Sequence, residues 1–186
     1  MTRIAAAAWD AGVEVFTFWW GSPANLTLRS AGEVSHIVGG LAEWLSGPAT
    51  SLLERYDAQV DVLGRWREIC PSLAPAVDRA RASAGGGPRR LVVLMAYDGQ
   101  EEIVAATDHA DGTRESFEAA LWTGHLPPAD LVLRTGGEPH LSAGFLLWQI
   151  ANAQLAFLPL HWPAMTAEDL EQALEQYSAT ERRFGA

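Results

Sequence analysis

Residues 130–157 read DLVLRTGGEPHLSAGFLLWQIANAQLAF. Asp130 to Leu133 is a short apolar run suited to a buried strand, and it opens at once into Arg134, Thr135, Gly136, Gly137 and Glu138. A strand with such an ending has the makings of a site. Consecutive glycines let backbone N–H groups approach a ligand, and a guanidinium offers a planar donor fork that matches phosphate or carboxylate oxygens. Ser142 adds a hydroxyl, and residues 145–151 read as a helix whose positive N-terminal end faces the same region. The pattern predicts an anion site on Arg134, Gly136, Gly137 and Ser142; a tight turn with an exposed arginine is the alternative reading of the same spacing.

Working outward, the chain has 186 residues, enough for one domain with a sizeable core over residues 1–186. Hydrophobic residues make up 48% and charges of both signs are present, which argues for a folded globule. A net charge of -10 argues against a nucleic-acid partner, whose phosphates need a basic face. Cys70, the one cysteine, permits no internal disulfide and suits a reducing compartment, most simply the cytoplasm. The apolar runs are too short to span a bilayer and the start carries no secretory-signal pattern, so a soluble, cytoplasmic chain is expected.

The pass along the chain predicts an α/β fold. Residues 2–10 favour a helix, 13–20 a buried central strand, and 31–45 a helix with one apolar face, bent at Gly39 and Gly40. Gly47 and Pro48 break the chain before another helix to residue 58 and a strand at 59–63. Residues 66–84 are largely helical, 91–97 form a buried strand, and 114–123 a further helix. Asp98, Glu101 and Glu102 read as a solvated helix N-terminus, with a metal cluster as the less simple alternative. Such alternation predicts a single domain with a mostly parallel central sheet covered by helices on both faces.

The order DLVLRTGGE, Ser142, FLLWQIA, Trp162-Pro163 and ERRFG at 181–185 resembles the C-terminal third of the cis-prenyltransferases, the undecaprenyl diphosphate synthase family. Weaker resemblance reaches back through residues 96–104 and 13–34. The resemblance implies an isoprenyl transferase fold lacking its N-terminal strand and the catalytic loop MDGNGRWA that carries one metal carboxylate. It implies isopentenyl diphosphate as ligand of Arg134 and Ser142, with His140 where the family has a second arginine. Ser22, Asn25 and Arg29 resemble the family's substrate loop AFSxENWxR, and Leu26 replaces its Trp. The second acidic metal contact lies in the family's AYAELYF; here the text is ANAQLAF, with Gln154 at the Glu position. A neutral amide does not offset the charge of magnesium, so the resemblance implies Mg2+ held mainly by a partner subunit.

Gly144 before Phe145, then FLLW, and Arg183-Phe184-Gly185 near the C-terminus resemble the accessory subunit of Nogo-B receptor type in two-subunit cis-prenyltransferases. That resemblance implies Arg183 and Gly185 completing the partner's site, in a heterodimer or, alternatively, a homodimer. The expected function is therefore a partner-dependent subunit condensing isopentenyl diphosphate with an allylic diphosphate. Two alternatives stay open: a lone short-chain prenyl or irregular terpene synthase with a tunnel shaped by Trp9, Trp19 and Trp20, and a non-catalytic scaffold that binds isoprenoid diphosphates.

Overall fold

The computed structural model describes residues 1–180. The Ala-rich opening forms α1 (Thr2–Asp10) and leads into β1 (Val15–Gly21), α2 (Pro23–Thr27) and α3 (Ala31–Trp44). Ser30 caps α3 reciprocally with Glu33, each side chain taking up a backbone N–H that the first turn leaves over. Next come α4 (Thr50–Tyr56), β2 (Gln59–Leu63), α5 (Trp66–Ile69), α6 (Ala74–Ala82) and β3 (Arg90–Met95). The last part holds α7 (Gly99–Thr107), α8 (Arg114–Ala120), β4 (Leu131–Thr135), β5 (Gln154–Leu158) and α9 (Ala167–Ala179).

Every strand pairing is parallel, as the alternation of helices and strands predicts. The sheet is divided, however. Three strands pair in the order β1-β3-β2, while β4 and β5 pair separately. β3 is the central strand, and its residues 91–95 are fully buried because helices cover both faces. β1 is not central: it pairs only with β3, its side chains from Val15 to Trp20 are half-buried, and its other edge has no strand beside it among the described residues.

Further expectations are corrected. α3 runs unbroken through Gly39 and Gly40 to Trp44 and gives way to a π-helical turn at Leu45–Ala49 containing Pro48, whose missing N–H interrupts the regular ladder. The helix resumes at Thr50, so residues 47–48 distort the chain without breaking it. Residues 145–151 form a series of turns, not a helix, since Leu146 at φ 48° in the left-handed region stops propagation. Glu102 is not solvated: it is buried and accepts bonds from the Tyr97 hydroxyl and from Thr123, whose N and Oγ1 lie 2.8 and 2.7 Å away.

Two apolar layers tie the halves together. On one side, Ile4, Ala8, Met165 and Leu170 pack with Phe16 of β1 and Leu133 of β4. On the other, Leu126, Leu146 and Ile150 pack with Val15 and Trp19 of β1 and Val132 of β4. Among the described residues no helix is long and apolar enough to cross a membrane.

Candidate functional site

β4 delivers Arg134 to its C-terminal end, where the chain leaves the sheet. Gly136 and Gly137 take φ 104° and 79°, a conformation open to residues without a Cβ, and turn the loop back over the strand. The return places Ser142 Oγ 2.7 Å from Arg134 Nη1 and His140 Nε2 3.2 Å from Nη2. Glu138, mostly exposed, lies 3.6 Å from the other ring nitrogen of His140. Arg134 Nε is shut off from solvent and has no acceptor among the described residues. A buried donor in that state favours an arriving oxygen, because an unmet N–H costs about 1–3 kcal/mol.

The glycines act differently from expectation. Gly136 N–H donates to the Leu160 carbonyl at 2.7 Å and Gly137 N–H to the Leu158 carbonyl at 3.2 Å, so both are used in holding the loop to the end of β5 and the residues just after it. Their contribution is the turn. The loop is fixed from the other side as well, where Gly99 N–H, at the start of α7, donates to the Ala143 carbonyl at 2.9 Å. That bond joins the start of α7, which follows β3, to the loop that follows β4.

Arg134 and Ser142 line a cleft of about 1450 Å3 between β1 and β4, together with Trp19, Trp20, Phe145 and Gln149. His140, Gly136 and Gly137 lie outside that lining. Trp20 stacks on Trp44 with ring centroids 6.1 Å apart, whereas Trp9 is fully buried core. Gln149 escaped the sequence reading because its segment was read as helix. Its Nε2 donates to the Thr123 carbonyl at 3.3 Å while its buried Oε1 has no donor among the described residues.

The other sequence candidates are not gathered here. Ser22 and Asn25 cap α2 reciprocally, with both side-chain-to-backbone distances 3.1 Å, and Arg29 pairs with Glu33 at 3.6 Å on the exposed surface. None of the three lines the cleft. Gln154 opens β5 opposite Leu131, whereas Phe157 lies opposite Arg134, so Gln154 sits about 10 Å down the strand from the anion site. Arg183 and Gly185 lie outside the described residues. Among the described residues no three His, Cys, Asp or Glu side chains gather. The groups at Arg134 are a guanidinium, a hydroxyl and an imidazole, a set with donors suited to an anion.

A parallel α/β chain with a guanidinium set at the end of a strand, its buried Nε unmet, is the class that fold and site define. The family model described as "Putative undecaprenyl diphosphate synthase" matches residues 1–185. The isoprenyl transferase of Brucella abortus biovar 1 is 32% identical over 198 residues, spanning all of this chain and 77% of that protein. That of Zymomonas mobilis subsp. mobilis is 34% identical over 197 residues, covering 99% and 78%. The structure of lavandulyl diphosphate synthase from Lavandula x intermedia, in complex with dimethylallyl diphosphate, superposes with a TM-score of 0.90 at 28% identity, covering all of this chain and 84% of the other. A "probable undecaprenyl diphosphate synthase" from Campylobacter jejuni shares the fold at TM-score 0.86 and 18% identity, covering 100% and 91%. The chain belongs to the undecaprenyl diphosphate synthase family, the cis-prenyltransferases.

Proposed function

We propose that this chain is a cytoplasmic, partner-dependent subunit of a cis-prenyltransferase. It holds the diphosphate of isopentenyl diphosphate through Arg134, Ser142 and His140, while a partner subunit supplies the allylic site and most of the magnesium coordination. The observation that carries this reading is the Arg134 guanidinium, which has a hydroxyl on Nη1, an imidazole on Nη2, an unmet buried Nε and no carboxylate within ion-pair distance among the described residues. A guanidinium without a carboxylate keeps its charge for an incoming anion. His140 adds a shorter side chain in place of a second guanidinium, without its planar donor fork. Arg183 would complete the partner's diphosphate site and Gly185 would let the chain pass close to it. Ser22, Asn25 and Arg29 are bound to local partners in this structure and contribute to the substrate loop only after rearrangement.

A second reading draws on two observations, the aromatic wall of the cleft at Trp19 and Trp20 and the likeness to lavandulyl diphosphate synthase. It makes the chain a short-chain or irregular prenyl synthase acting alone. Calorimetry with isopentenyl diphosphate, followed by incorporation of labelled isopentenyl diphosphate with magnesium and an allylic diphosphate, separates the readings. Binding without turnover by the purified chain, and turnover once a DGNGR-bearing subunit is added, is the expected result. Turnover by the chain alone overturns partner dependence in favour of the second reading. Binding with no turnover in either arm overturns it in favour of a non-catalytic isoprenoid-diphosphate scaffold.

A further inference from the structure

We propose that His140 couples diphosphate binding to the uptake of a proton: in the empty site its imidazole accepts from Arg134, and a bound diphosphate turns the same ring nitrogen into a donor. The coupling rests on the reading of Arg134 as the grip on isopentenyl diphosphate and concerns how that grip responds to pH.

Hydrogen-bond chemistry sets the ring's starting state. A guanidinium carries only N–H groups and accepts nothing. Arg134 Nη2 lies 3.2 Å from His140 Nε2, so Nε2 offers its lone pair and the ring's proton sits on Nδ1. Nδ1 in turn faces the Glu138 carboxylate at 3.6 Å, which suits an N–H and not a lone pair. Both neighbours therefore select the same tautomer. The backbone holds them in place: His140 N–H donates to the Glu138 carbonyl at 2.9 Å, closing a three-residue turn across Pro139, whose ring fixes the φ of the middle residue.

A diphosphate offers this corner of the site only acceptors. An oxygen drawn to Arg134 Nη2 meets the Nε2 lone pair, acceptor against acceptor. Two changes relieve that conflict. The ring proton can pass from Nδ1 to Nε2, or Nε2 can take a second proton from solvent. The first leaves a bare lone pair on Nδ1 facing the Glu138 carboxylate. The second keeps Nδ1–H on Glu138, gives Nε2–H to the diphosphate, and sets a positive ring between two anionic groups, an arrangement that favours the charged form. Arg134 keeps Ser142 on Nη1 throughout, with its buried Nε open to a further oxygen.

The other titratable groups on segments packed against the loop are engaged elsewhere. At the start of α7, Asp98 accepts from the amides of Gln100 and Glu101, and Glu101 pairs with Arg65 at 3.3 Å. His161 follows Leu160, whose carbonyl holds Gly136, and its ring is not bonded to His140. Among the described residues Glu138 is the one carboxylate within ion-pair distance of His140. The His140 side chain is about half exposed, so water can deliver the proton.

The direction of the pH effect follows. The complex favours the charged ring more than the empty site does, so affinity rises as pH falls and levels off once the empty site is protonated too. A fixed cation at the same position gives no such linkage.

Calorimetry with isopentenyl diphosphate in buffers of different ionisation enthalpy counts the protons, on the parent chain, His140→Arg and His140→Gln. The diphosphate's own titration is common to the three forms and drops out of the comparison. The parent should take up more protons than either variant, by up to about one per diphosphate, between about pH 6 and 8. From about pH 8.5 to 5.5 its affinity should gain about tenfold more than theirs. Imidazole nitrogen NMR of the free chain, with His140→Gln marking the signal, should show the Nδ1–H tautomer above about pH 8. Binding with equal proton counts in all three forms overturns the coupling and leaves the reading of Arg134 standing. An Nε2–H tautomer in the free chain overturns the coupling whatever binds. Absence of binding by every form overturns the reading of Arg134 and the coupling with it.

Discussion

Gly99 and Gly144 meet backbone to backbone: a Cβ built on Gly99 would stand 1.9 Å from the Gly144 carbonyl oxygen. No rotamer relieves that overlap, because the obstacle is main chain. The loop holding Ser142 therefore rests on the first turn of α7, and its position depends on a missing methyl group. Gly99→Ala should cost about 1–3 kcal/mol of stability by overpacking, measured by urea unfolding. It should also weaken isopentenyl diphosphate binding by moving Ser142 away from Arg134. Unchanged affinity with lowered stability would separate the loop from the anion site.

Arg134→Lys keeps the charge but loses the planar fork and with it the simultaneous contacts to Ser142 and His140. Affinity for isopentenyl diphosphate should fall about tenfold or more, as expected from losing a charge-assisted bond worth about 1.5–3 kcal/mol. Ser142→Ala should lower it by a smaller factor, since the hydroxyl is one partner among several. Calorimetry on both variants checks the order.

Asp61 is held by Arg90 Nη1 at 2.5 Å and His125 Nε2 at 3.0 Å. Burial by itself would raise this carboxyl, but the hydrogen bonds from His125 and Arg90, together with the guanidinium charge, outweigh it and hold Asp61 below the usual carboxylate range. A depressed carboxyl stabilises the fold above its unfolded value, and that contribution is lost as pH falls through the folded one. Thermal unfolding should show Asp61→Asn less stable at pH 7 by about 1–3 kcal/mol, with the gap to the parent closing below about pH 4.

Cys70 is 6% exposed, and burial pushes its thiol up to about 11. At pH 8 only about one molecule in a thousand carries the thiolate that reacts. Labelling by a disulfide reagent should be slow in the folded chain and fast after unfolding. Because the thiol is raised, its contribution to stability is present below the ordinary thiol value and fades as pH climbs above about 8.5. A melting temperature that is flat up to pH 10 would contradict this.

Much of the fold was legible because its signals are local. A continuous apolar run marks β3, and the helix at residues 2–10 and the strand at 59–63 appear where composition and spacing put them. The grip of Arg134 on Ser142 was legible for a similar reason, since eight residues and two glycines close a short loop. What escaped depended on distant partners. Glu102 looks solvated until Tyr97 and Thr123 are seen around it. Residues 145–151 carry helical composition, but close packing of Gly144 against Gly99 and the left-handed backbone at Leu146 override that propensity. Gln154 gave no hint that its strand would place it three residues along from the position opposite Arg134.

By itself the amino-acid order determined the parallel α/β class, the family, and the closeness of Arg134 to Ser142, because each rests on residues near one another along the chain or on a pattern of types. Only tertiary structure decided that the strands divide into two sheets, that Gly136 and Gly137 give their N–H groups to Leu160 and Leu158, and that Glu102 is buried against Tyr97 and Thr123. Those features are hydrogen bonds and packing between segments remote in sequence, and the side-chain pattern of a strand is the same whether or not a neighbour lies beside its edge.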